Sequence, residues 1–197
     1  PSTIGLQNGY AMNAPIKASS NPTAIVKLSI TASTTAFLQA ITVNFSGTGF
    51  STTTLANITS NSSSGVALYN DSGGNLGSLV ATSTGWTATT SNITLTPQPL
   101  ISINTSASIF YIVVRTSAAA TNGTQIIATV PTNGVITSNG NGPTSGFSAN
   151  SFMVDTAAPA ITSVNGNSGS ANLTVNFSEP VQKYGGGNLT ASQFTFV

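Results

Sequence analysis

Apolar residues alternate with small polar ones along most of the chain, and clusters of Gly, Asn, Ser or Pro interrupt the alternation at short intervals. A period of two belongs to strands with one buried face, and the interruptions carry turn chemistry. The pattern predicts strands over residues 24–30, 37–46, 65–70, 76–81, 92–96, 109–116, 125–130 and 151–155. Turns are expected at Ser72-Gly73-Gly74-Asn75, Asn122-Gly123 and Asn139-Gly140-Asn141-Gly142-Pro143. Leu, Glu, Lys and Arg, the good helix formers, are scarce, whereas Thr, Val, Ile and Phe are common. The expected fold class is therefore all-β. Short strands at this spacing suit an immunoglobulin-like β-sandwich.

One strand pattern occurs twice. Ile41-Thr42-Val43-Asn44-Phe45-Ser46 recurs as Leu173-Thr174-Val175-Asn176-Phe177-Ser178, and in both copies the apolar residues fall on one face. Between the copies, Asp155-Thr156-Ala157-Ala158-Pro159 reads as a linker, because Pro159 cannot continue a ladder and the residues before it are small. The expected organisation is a segment 1–22, a sandwich 23–156 and a short β module 157–197. Strands predicted at 160–164, 172–178 and 193–197 are too few to close a sandwich alone, so the module needs cover from elsewhere.

The first dozen residues repeat the two-residue period with larger side chains. Ile4, Leu6, Tyr10 and Met12 share one face with Asn8 in its single polar slot, and Thr3, Gly5, Gln7, Gly9 and Ala11 lie opposite. Burying four large apolar side chains is worth on the order of 6–12 kcal/mol before ordering costs. Ala14-Pro15, Ser19-Ser20 and Asn21-Pro22 then read as a hinge. The segment either pairs within its own chain as an ordinary first strand or is exported to another subunit. A strand given to a neighbour that in turn gives its own produces an open, head-to-tail homopolymer.

Composition narrows the function. Of 197 residues, 28 are Ser, 31 Thr and 20 Asn, against four basic and three acidic side chains, no His and no Cys. Lys17, Lys27, Arg115 and Lys183 form no stripe able to neutralise several phosphates, which argues against a nucleic-acid partner. The longest apolar run, 109–114, falls far short of the about 20 residues a transmembrane helix needs. No basic n-region with an apolar h-region is present, so a secretion signal is expected to have been removed ahead of Pro1. Among the side chains only Asp71, Asp155 and Glu179 can take up protons in acid, moving the formal charge from +1 to +4 (1 + 3), and tolerance of acid is expected.

Catalysis is not expected. A nucleophile has no His to serve it, no Gly-x-Ser-x-Gly or phosphate-binding loop occurs, and three dispersed acids suggest neither a metal cluster nor a carboxylate pair. No cofactor is implied. Asp71 reads as a turn residue rather than a calcium ligand. Lys27, between Val26 and Leu28, points to the polar face, away from the buried site an autocatalytic isopeptide bond requires. Trp86 reads as a core plug, with a sugar platform formed by Trp86, Tyr69 and Tyr184 as the alternative.

Asn-x-Ser/Thr occurs ten times, at Asn44, Asn57, Asn61, Asn70, Asn92, Asn104, Asn122, Asn172, Asn176 and Asn188. Chance would give about six at this composition, so the excess is mild. Modification of several by N-linked glycans is expected, with Asn44 and Asn176 facing solvent opposite Val43/Phe45 and Val175/Phe177. Neutral sugar would keep a nearly uncharged surface apart sterically at any pH.

Together, the alternation of Ile4, Leu6, Tyr10 and Met12 and the ten sequons in a nearly uncharged Ser/Thr/Asn-rich chain resemble the subunits of donor-strand-complemented pili. The similarity is greatest to the thread filament subunits of acid-living archaea. That resemblance implies an extracellular, N-glycosylated surface filament in which the amino-terminal strand enters the β-sandwich of the next subunit, in support of adhesion or biofilm. Residues 172–181 and 189–194 also resemble the opening strands of bacterial immunoglobulin-like surface domains. The competing reading is a monomeric adhesion or carbohydrate-binding module of a cell-wall assembly.

Overall fold

The computed structural model describes residues 15–17, 22–51, 53–55, 65–83, 92–148, 151–169, 172–179, 181, 190 and 192. The chain divides into two units, Pro1–Thr156 and Ala157–Val197. Both are built from strands, and the first is an all-β sandwich.

The early strands of the first unit are β1 (Pro15–Lys17), β2 (Thr23–Ile30), β3 (Ala36–Ser46), β4 (Val66–Ser72), β5 (Asn75–Thr82), β6 (Asn92–Leu95) and β7 (Ile101–Ile103). They are followed by β8 (Ser108–Val114), β9 (Gln125–Val130), β10 (Val135–Thr137), β11 (Gly140–Gly142), β12 (Phe147–Ser148) and β13 (Phe152–Asp155). One sheet runs β2-β8-β4-β5, antiparallel throughout. The other is centred on β3, which pairs β6 and β7 along one edge and β9 and β10 along the other. Beyond β9 come β13 and then β1. The orders β2-β8-β4 and β3-β9-β13 correspond to the B-E-D and C-F-G strands of an immunoglobulin-like sandwich.

Burial follows the alternation. Val26, Leu28 and Ile30 of β2, Phe110, Ile112 and Val114 of β8, and Val66 and Leu68 of β4 meet Ile126, Ala128 and Val130 of β9 and Phe152 and Val154 of β13 in one core. In β3 the phase changes midway. Ala36, Leu38 and Ala40 are buried in the first half, Ile41, Val43 and Phe45 in the second, and the register against β10 slips at the corresponding point. A bulge inserts one residue into a strand, and here it lets an eleven-residue strand bury even positions first and odd ones afterwards.

Five short strands, β1, β7, β10, β11 and β12, carry too little alternation to be read from the sequence. The first lies in the span expected to be hinge: Pro15, Ile16 and Lys17 pair in parallel with Met153, Val154 and Asp155, and Ile16 is buried. The expected turn at 139–143 is also revised, because residues 140–142 form β11 opposite Val135–Thr137 and the turn is at Ser138-Asn139.

In the second unit, β14 (Ile161–Gly166) pairs antiparallel with β15 (Leu173–Phe177). Directly opposed residues in such a ladder share a face. Ile161 and Phe177, Val164 and Val175, and Gly166 and Leu173 therefore lie on one side, with Ser163, Asn176, Asn165 and Thr174 on the other. Both copies of the repeated hexapeptide are strands, but their surroundings differ: Val43 and Phe45 are buried in the sandwich, whereas Val175 and Phe177 are only half-buried. Residues 193–197, also expected to be a strand, lie outside the described residues.

Candidate functional site

The described part of the first unit begins with β1 at Pro15. Ile4, Leu6, Asn8, Tyr10 and Met12 lie outside the described residues. Pro15 stands beside Met153 and Lys17 beside Asp155, so the chain enters β1 where β13 begins, at the edge of the larger sheet. The edge position next to the last strand is thus filled by residues 15–17, and Ile16 supplies its core side chain at 2% exposure.

The sequons separate by environment. Asn57, Asn61 and Asn188 lie outside the described residues. Asn92, Asn104, Asn122, Asn172 and Asn176 are exposed, and Asn44 and Asn70 are half-buried. A glycan attaches through Nδ2, so the bonds made by each amide matter. Asn104 Oδ1 accepts from the Ser106 amide at 2.8 Å, and Asn122 Oδ1 accepts from the Thr156 amide at 2.9 Å; both contacts use the oxygen. Asn176 Nδ2 donates to Ser163 Oγ at 2.8 Å on the polar face of the hairpin. Asn70 is more confined. Its Oδ1 accepts from the Ser78 amide across the β4–β5 pair, close against Gly77.

Asn44 occupies the solvent side of β3 directly opposite Asn92, and the neighbouring Thr42 and Thr94 hydroxyls are 3.5 Å apart. On its other flank Asn44 faces Thr129 of β9. The side chain is half-covered, and its Oδ1 is buried without a hydrogen-bond partner. Asn92, at the edge of the same row, is fully outward.

A second constellation spans the smaller sheet. The Tyr111 hydroxyl of β8 donates to Asp71 Oδ1 at the end of β4. The Gly74 amide donates to both Asp71 carboxylate oxygens, at 3.1 and 3.2 Å. Lys27 Nζ lies 6.0 Å from the centre of the Tyr111 ring. The Tyr111 hydroxyl first, then the Gly74 amide, and more weakly Lys27 hold the Asp71 carboxyl below its ordinary range, against a small opposing effect of desolvation. The arrangement ties β2, β8 and the β4–β5 turn together. Lys27 is half-buried, as its alternation predicts. Tyr111 escapes sequence reading because it sits inside the uninterrupted apolar run Ile109–Val114, where periodicity marks no outward position.

Among the described residues, no three His, Cys, Asp or Glu side chains converge as metal ligands. Among the same residues, no helix is long and apolar enough to cross a membrane. Trp86 lies outside the described residues, as does Tyr184, and Tyr69 is half-buried on β4 opposite Tyr111. Compared with protein-family models, curated proteins and solved structures, the chain matches none.

Proposed function

We propose that this chain is a non-enzymatic structural subunit of an extracellular surface filament, joined head to tail when residues 4–12 of one copy complete a β-fold in the next, and that it carries N-linked glycans. The observation that carries this reading is the parallel pairing of β1 with β13. An ordinary first strand would occupy that edge, yet Pro15–Lys17 already does so with Ile16 in the core. The longer alternating segment ahead of it, residues 4–12, offers in its sequence a further apolar face that this edge does not require.

The outward sequon positions support the glycan part of the reading. Asn92, Asn104 and Asn172 are exposed, and the threonine or serine two residues on is exposed at each. Asn70, with its amide packed against the neighbouring strand, is the described sequon least suited to modification.

Removal of residues 2–13 tests the assembly. Filaments seen by negative-stain microscopy, and SDS-resistant ladders of the intact chain, should disappear while the far-ultraviolet β spectrum is retained. A chain that is monomeric with or without the segment would instead be the competing surface module. Glycopeptide mapping of protein from its native source should find sugar at Asn92 and Asn104 and none at Asn70; a bare surface would remove glycans from the proposal.

A further inference from the structure

The hairpin of the second unit combines an apolar face with an open edge. Ile161, Val164 and Leu173 are exposed by 58%, 51% and 46%, and their register puts them on one side. Among the described residues β14 pairs with β15 alone. Two strands are below the number that is stable in isolation, and an apolar sheet face requires a partner. An incoming strand would find both an edge to pair and a face to cover.

We infer that this hairpin is the acceptor: residues 4–12 of a second copy dock on it, with Ile4, Leu6, Tyr10 and Met12 meeting Ile161, Val164 and Leu173. The inference rests on the filament reading above and specifies which part of the neighbour is engaged. Three observations select this occupant. Neither partner carries a charged side chain, since no Asp, Glu, Lys, Arg or His occurs in residues 2–16 or 157–178, so docking desolvates no side-chain charge. The nine-residue segment is long enough to run the full length of the six-residue β14. Finally, β1 and β13 are parallel, so Pro15 at the start of β1 and Asp155 at the end of β13 lie at opposite ends of the pair. The sequence ahead of Pro15 and the linker after Asp155 are therefore attached at opposite ends of one strand pair, the polarity an open head-to-tail contact needs.

The chain has no cysteine, so introduced thiols report without background. Full-length Tyr10→Cys is mixed under mild oxidant with full-length Val164→Cys, or with Leu173→Cys should the first acceptor variant lose its β spectrum. Phe37→Cys and Leu79→Cys, at exposed positions of the sandwich, serve as alternative acceptors. The expected result is a disulfide-linked dimer with Val164→Cys or Leu173→Cys that is lost when either thiol is omitted. Cross-linking to Phe37→Cys or Leu79→Cys instead would move the acceptor to the sandwich, overturning this inference while strand donation stands. A Tyr10→Cys/Val164→Cys double variant that closes within a single dilute chain would overturn intermolecular docking. No cross-link in any mixture, together with no polymer from the unmodified chain, would overturn the filament reading and this inference with it.

Discussion

Gly47 shows how one residue can decide whether two strands meet. It follows β3 with φ at +137°, and a Cβ at that position would lie 2.2 Å from the Gln125 carbonyl oxygen at the start of β9. Backbone cannot yield as a side chain does. Gly47→Ala should therefore cost about 1–3 kcal/mol from the conformation, with the clash in addition, read as a lower denaturation midpoint at unchanged slope. Asp71 is decisive in a different way, through pH. Its folded carboxyl titrates below the ordinary range because Tyr111 and Gly74 donate to its charged form. The stabilisation is complete above the unfolded pKa and is lost as pH falls through the depressed folded value. Calorimetric melting temperatures should thus decline only in strong acid, and Asp71→Asn should flatten that decline. With so few other carboxylates in the chain, the remaining acid dependence should be shallow.

Among the elements, β1 joins the core through Ile16, which is buried while Pro15 is exposed. Ile16→Ala should cost about 2–5 kcal/mol and loosen the edge at β13, which faster amide exchange in β1 and β13 would report. Legibility in the sequence follows the same logic of side chains. The long strands β2 and β3 announce themselves because three or more large residues alternate in each, β9 through Ile126, Ala128 and Val130, and β8 through its continuous apolar run. Ile16 and Val135 are the buried anchors of short strands and Ile101 with Ile103 makes only one pair, too few positions to define a period. The bulge in β3 was hidden as well, because Ala40 and Ile41 are adjacent, both small or apolar, and consistent with either phase. The row Asn92-Asn44-Thr129 and the Tyr111–Asp71 bond are products of register, and register follows only after strands choose partners. Sequons, by contrast, are local and fully legible; their environments are not.

At the level of the whole molecule, the two units illustrate what a second layer does for the same sequence pattern. The hexapeptide containing Phe45 is sealed within a sandwich, while its counterpart containing Phe177 belongs to a hairpin with exposed apolar neighbours. The parallel arrangement of β1 and β13 has a mechanical corollary. Tension drawn through the amino terminus and through the end of β13 pulls two parallel neighbours in opposite senses, so their ladder bonds are loaded together in shear instead of being opened one at a time. A chain stretched between its ends in a force-clamp instrument should hold to a high, sharply defined rupture force. Reversing the attachment so that both strands are pulled from the same end should unzip it gradually. If the chain works in a thread, the strand that closes its sandwich is also placed as a clamp along the line of pull.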